Sequence, residues 1–188
     1  MPSQSEVTIC NLALTMLSSS RIESLSQNNE NARKCNAVYT FIRDDLLSHH
    51  NWNFSRKEAS LARLDETPVT SDWAYIYQLP TDCIRVIKQE DNYPFAIFED
   101  KLYNNDSSSK IQYASLVTDP VQFPQYFAYA LSTRIAATLA YGITQNATLA
   151  EGMLKVASSA IKEAMWTDSQ EGDGVSVIQG SFLTSRQG

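Results

Sequence analysis

Apolar side chains recur along this chain with two different periods, and the change of period divides it. Over residues 4–17, Val7, Cys10, Leu14 and Leu17 fall three and four positions apart, which puts them on one face of an α-helix, and Ser3 followed by Glu6 has the spacing of a capping box. Three serines at 18–20 end that helix, and the polar stretch 21–29 reads as a loop that Ile22 and Leu25 pin back to the body. A second stripe, Ala32, Cys35, Val38 with Tyr39, Ile42 and Leu46, continues to His50 behind an Asn29 or Asn31 cap. A helix of roughly twenty residues is about 30 Å long. Asn51 is its predicted stop, and Trp52-Asn53-Phe54 turns the chain from helix toward sheet.

Between residues 59 and 117 the period drops to two. The clearest passage is 73–88, WAYIYQLPTDCIRVIK, read as strand-turn-strand. Trp73, Tyr75 and Tyr77 alternate with smaller residues, and Leu79-Pro80-Thr81-Asp82 makes a break. Cys83, Ile84, Val86 and Ile87 then resume a β-branched run, and Pro80, which has no N–H to give a ladder, ends the first strand. Further short strands are predicted at 59–64, 95–98, 101–103 and 110–114, with turns at 65–72, 89–94 and 99–100. This predicts an antiparallel meander of roughly five strands whose aromatic side chains, the Trp73–Tyr75–Tyr77 stripe included, form its core.

From Asp119-Pro120 onward the helical period returns. Pro124 suits the first position of a long helix whose stripe is Phe127, Leu131, Ile135, Thr138 with Leu139, and Gly142 as its close. Ala128, Ala130, Ala136, Ala137 and Ala140 make its other faces small, so neighbouring helices can approach. Asn146 or Thr148 caps a last helix carrying Leu149, Met153 or Leu154, Ala157, Ile161 and Met165, predicted to end near Trp166. Past Thr167 there is no helical period, and four of the six glycines fall there. Yet Val175, Val177, Ile178, Phe182 and Leu183 are too apolar for a solvated tail, which predicts a segment that orders against something else. The expected class is therefore α+β, mainly α: a bundle of about four helices interrupted by a small antiparallel β-meander insert, with an extended C-terminal tail. In domain terms this is one unit at 1–167, with its helical body at 1–54 and 119–167 and its β insert at 59–117, followed by a tail at 168–188.

Composition narrows the functions. A chain of 188 residues with 43% hydrophobic residues can bury one sizeable core. No apolar run approaches the roughly 18 residues of a membrane span, and the N-terminus lacks the basic-then-apolar order of a secretory signal, so neither membrane insertion nor export is expected. The net charge is -6 and no block of Lys and Arg gathers on one segment, which argues against an electrostatic grip on nucleic acid. An acidic wall still suits a conduit through which DNA must slide, because each neutralised phosphate adds affinity.

Candidate chemistry is sparse. Cys10, Cys35 and Cys83 are widely spaced, so they read as buried thiols rather than a disulfide framework or a zinc site. His49 and His50 are adjacent, and adjacent helical side chains diverge, so they read as a solvated helix end. The phosphate-binding glycine loops and the nucleophile elbow are missing from the sequence, and no cofactor is expected. Paired carboxylates remain: Asp44-Asp45, Glu99-Asp100 and Glu171 with Asp173 are the candidates for a glycosidase acid and base, but each reads first as a solvated surface pair.

Five passages in order carry a resemblance: NLALTMLSSSRIESL (11–25), NAVYTFIRDDLLSHHNWNFS (36–55), YQLPTDCIRVI (77–87), FPQYFAYALSTRIAATLA (123–140) and DSQEG (168–172). With them the chain resembles the tail tubular protein A family, the head-to-tail adaptors (connectors) of short-tailed bacteriophages, or podoviruses. The resemblance implies a structural virion protein rather than an enzyme. It implies a homo-oligomeric ring, a dodecamer, clamped beneath the portal protein, with a tail nozzle protein of the tubular protein B type below. Genomic DNA would pass through the central channel without sequence-specific binding. The implied place is the head–tail junction of the virion, after synthesis in the host bacterial cytoplasm. In such adaptors the C-terminal segment reaches the portal, which assigns Val175, Val177, Ile178, Phe182 and Leu183 as anchors and Arg186 as a charged contact. The β insert would offer a second surface to a neighbouring subunit or the nozzle, through Asp82 and Arg85. Two other expectations stand beside this one: a tail-associated hydrolase of peptidoglycan or capsular polysaccharide using the carboxylates, and a host helical interaction protein.

Overall fold

The computed structural model describes residues 4–172. Among these, helices α1 (Glu6–Met16) and α2 (Glu30–His49) precede six strands, and α3 (Gln125–Thr144) and α4 (Ala147–Gly172) follow them. The strands are β1 (Arg56–Ser60), β2 (Tyr75–Gln78), β3 (Cys83–Gln89), β4 (Phe95–Phe98), β5 (Lys101–Asn104) and β6 (Lys110–Ser115). The fold is α+β with a four-helix body, as its periodicities predict.

The helix ends follow from local chemistry. Ser5, not Ser3, caps α1, its hydroxyl accepting from the Thr8 N–H at 3.1 Å. The other end closes as a Schellman motif in which Ser18 takes the left-handed conformation (φ 54°) and the Ser19 N–H reaches back to the Leu14 carbonyl at 2.9 Å. Asn11 then holds the following loop: its side-chain amide exchanges two 2.8 Å bonds with the backbone of buried Ile22. Asn29 caps α2 by accepting from the Ala32 N–H at 2.7 Å.

Helix α3 is the hub, packing on α1, α2 and α4, and most of its faces are buried, as its small residues allow. It differs from expectation at both ends. Pro124 stands at the cap rather than inside the helix, and the helix runs through Gly142 to Thr144, stopping where Gln145 turns left-handed (φ 51°). Asn146 caps α4 through the Leu149 N–H, and the chain returns along α3. The buried face of α4 is Met153, Ala157, Ala160 and Ala164, so Met153 rather than Leu154 points inward. The helix does not end near Trp166 but continues to Gly172. Residues 168–172 thus belong to the helical body and not to the tail. Their apolar period fails only because the next inward position is taken by a carboxylate, Asp168.

The strands do not form one meander. They make two three-stranded antiparallel sheets, ordered β1-β6-β3 and β2-β5-β4. The passage 73–88 is therefore not a hairpin: β2 pairs with β5 and β3 with β6, and Pro80 lies where the chain crosses from one sheet to the other. Two backbone bonds hold this corner, Leu79 N–H to the Asp100 carbonyl at 3.0 Å and Leu116 N–H to the Asp82 carbonyl at 2.7 Å. A two-residue period states that a strand exists, not which strand it joins. The first strand lies at 56–60 rather than 59–64; residues 62–64 instead run along the outer edge of β2. The tight turn at Glu99-Asp100 closes the β4–β5 pair as predicted, with Glu99 at φ 57°.

Two cores result. The larger is shared by the four helices with Trp52, Val117 and Phe123; the smaller joins the facing sheets through Tyr77, Leu79, Val86, Leu102, Ile111 and Tyr113. Tyr77 of the aromatic stripe is thus core, and Tyr75 packs against it. Ile84 and Phe54 pack on the helical core and join the two parts.

Candidate functional site

Asp82 and Arg85, the two contact residues expected on the β insert, both serve as internal braces. The Asp82 carboxylate accepts from Lys57 Nζ at 2.7 Å and from the Tyr113 hydroxyl at 3.1 Å. The Lys57 ammonium first, and then the Tyr113 hydroxyl, hold its carboxyl below the usual carboxylate range. Burial and this same hydrogen bond push the Tyr113 phenol up to about 12. Arg85 donates to Asn51 Oδ1 at 2.6 Å and to the Ser48 carbonyl at 3.4 Å, fastening β3 to the end of α2. A guanidinium at a helix C-terminus also suits the helix dipole. The six contact residues expected in the tail, Val175, Val177, Ile178, Phe182, Leu183 and Arg186, lie outside the described residues.

The most polar buried group is one that sequence reasoning passed over. Asp168 is fully buried, and four elements converge on it. His50 Nε2, just past α2, lies 3.1 Å from Oδ2; the Asn53 N–H lies 3.1 Å from both oxygens; and the Tyr126 hydroxyl of α3 donates to Oδ1 at 2.8 Å. The Asn53 side-chain amide also donates to the Asp168 carbonyl. Burial, and then the hydrogen bond to Asp168, raise the Tyr126 phenol far above its ordinary value, with Glu171 Oε2 also 3.2 Å away. Trp52 walls the cluster, its ring 5.0 Å edge-on from His50 and its indole N–H bonded to the Leu46 carbonyl at 2.9 Å. His50 is therefore not part of a solvated end, although His49 is exposed beside Asp45.

With these donors the carboxylate's lone pairs are taken up, so the cluster clamps the last turns of α4 onto α2, α3 and the Asn53–Ser55 turn. One signal for it was present: Asp168 lies four positions after Ala164, in phase with the buried face of α4. Of the other carboxylates, Asp44 pairs with Arg43 at 2.7 Å and Asp100 accepts from Gln78 at 2.8 Å. Among the described residues no three His, Cys, Asp or Glu side chains gather as a metal would require.

Large apolar side chains stand exposed on all four helices: Leu12 on α1, Phe41 on α2, Tyr129 and Tyr141 on α3, and Leu154, Val156 and Trp166 on α4. Phe41 is 76% exposed and Trp166 66%. A groove of about 430 Å³ runs between α3 and α4, with Tyr126 and Tyr129 on one side and Ala160 and Ala164 on the other. No protein-family model matches the chain, and no curated protein matches it.

Proposed function

We propose that this chain is the head-to-tail adaptor subunit of a short-tailed bacteriophage, of the tail tubular protein A type. Copies pack side by side as a dodecameric ring beneath the portal, the nozzle attaches below, and genomic DNA passes through the channel. The observation that carries this reading is the set of exposed apolar side chains on the helices, Phe41 and Trp166 foremost, which lie outside the helical core. Side chains of this size gain about 1.5–3 kcal/mol each on full burial, which side-by-side packing of copies supplies and a lone monomer does not. The Asp168 clamp adds support, since it gives the chain leaving Gly172 a firm root. From that root the segment holding Val175, Val177, Ile178, Phe182, Leu183 and Arg186 extends to the portal.

Mixing the purified chain with portal rings of the phage that encodes it, and imaging by negative-stain electron microscopy, tests the reading. Rings stacked on portal are expected, and removal of residues 173–188 is expected to abolish stacking. Stacking by the shortened chain would remove the tail's role, and no stacking by the full chain at any ratio would remove the adaptor reading.

A further inference from the structure

The two edges of the β2-β5-β4 sheet are treated differently. Along β2 the edge is covered, because the Gln78 N–H bonds the Ala62 carbonyl at 3.1 Å and the Leu64 N–H bonds the Ile76 carbonyl at 2.8 Å. Along β4 the edge is open: Phe95–Phe98 pairs with β5 on one side, and among the described residues no backbone hydrogen bond reaches the other. Natural edge strands are usually blunted by short length, charge, proline or a bulge. This one is four residues long and follows Pro94, but it reads Phe-Ala-Ile-Phe, carries no charge, and leaves Ile97 41% and Phe98 55% exposed. Beside it opens a cleft of about 370 Å³ between the two sheets, to which Leu79, Cys83, Ile84, Val86 and Ile97 contribute apolar walls, with Arg85, Glu99 and Asp100 also in its lining. An uncapped edge next to a cleft with apolar walls is the geometry that accepts an added strand, with main-chain bonds for affinity and a pocket for alternate side chains.

We propose that this edge and cleft bind the run 175–178 of a second copy of this chain. That run, Val-Ser-Val-Ile, has the length of β4, is β-branched at three of its positions, and stands between Gly174 and Gly180. No charged residue occurs from 174 to 185, which matches the uncharged edge. Val175 and Val177 share one face of an extended strand, as Phe95 and Ile97 do on β4, so one register sets valines over the cleft. The donor is a second copy because Asp173 and Gly174 alone separate Gly172 from Val175, a reach of about 10 Å. Meanwhile Asp168 ties the end of α4 to the helical body, and β4 is the outer strand of the other sheet. Donor run and acceptor edge are different surfaces, so the contact is head-to-tail and its repetition closes a ring or grows a filament. The contact goes beyond the adaptor reading: it requires no portal, and in an assembled adaptor it takes 175–178 while Phe182, Leu183 and Arg186 continue to the portal.

The test uses full-length chains, one ¹⁴N and one ¹⁵N, each with benzoylphenylalanine in place of Phe98, mixed and photolysed before digestion and mass spectrometry. Crosslinks joining the β4 peptide to residues 173–188 with mixed isotopes are expected, and Val177→Asp is expected to reduce them at least tenfold. Crosslinks of a single isotope only, or none to 173–188, overturn the proposal. Because Ile97 is already exposed, Ile97→Lys keeps the fold and is expected to weaken self-association at least tenfold by light scattering; unchanged association also overturns it. Portal stacking measured on the same samples separates the two readings. Crosslinks without stacking count against the adaptor alone, and stacking without crosslinks counts against the strand exchange alone.

Discussion

In the helical body, α3 is surrounded by three helices, and Leu131, Ile135 and Phe127 are fully buried among apolar neighbours. The β unit closes around a cluster of six buried apolar residues, with Ile76 and Ala114 buried beside it, and three buried polar atoms in it, Gln89 Oε1, Asn104 Nδ2 and Ser109 Oγ, have no hydrogen-bond partner among the described protein atoms, against one in the helical body, the Tyr39 hydroxyl. The β unit therefore depends on its attachments: Arg85 to the end of α2, the Ser115 hydroxyl to the Ser55 carbonyl at 2.8 Å, and Ile84 against the helical core. A complete core can carry exposed apolar side chains outside it without losing its shape. An incomplete one leaves an open edge, and partners have most to offer there.

Core truncation tests this contrast with the largest effect. Leu131→Ala is expected to cost about 4 kcal/mol and Leu102→Ala about 3 kcal/mol in urea unfolding. The sharper reading is hydrogen exchange. Leu102→Ala is expected to speed exchange of the β2 and β5 amides while α3 amides stay protected, and equal acceleration in α3 would mean that the two parts open as one.

Next in size is the clamp within the helical body. Asp168→Ala leaves the Asn53 N–H without its acceptor and the Tyr126 hydroxyl with Glu171 alone, and is expected to cost about 2 kcal/mol. Amides at 165–172 should lose protection while those near Met153 keep it. Unchanged exchange there would show that α4 holds its end without the carboxylate.

The smallest effect concerns pH and lies within the β unit. Lys57 and Tyr113 depress the folded Asp82 carboxyl, so the unfolded chain binds that proton more readily. The resulting stabilisation is present above the unfolded aspartate value of about 3.9 and is lost as pH falls through the lower folded value. Lys57 is 54% and Asp82 34% exposed, so solvent screening limits it to a few tenths of a kcal/mol. Asp82→Asn should flatten that part of the acid limb in a pH series of thermal melts; an unchanged slope would mean that the pair contributes nothing.

The helices were legible because each is specified nearly where it stands. Asn29 caps α2, the stripe from Ala32 to Leu46 is its buried face, and the errors at Ser3, Gly142 and Trp166 are shifts along the right element. The contact residues were less legible. From sequence Asp82 looks like a free charge on a turn and Arg85 like one on the strand after it, and only their neighbours from β1, β6 and the end of α2 make them braces.

From its sequence alone the chain had its α+β class, its four helices and most of its strands, since caps, turn residues and side-chain periods act over a few residues. Tertiary structure alone decided that β2 and β3 part at Pro80 into separate sheets, that the edge of β4 stays open, and that Asp168 is a buried clamp instead of the start of a tail. Those outcomes depend on groups far apart in the chain. Asn53 and Asp168 are 115 positions apart, and no local period can report such a pair.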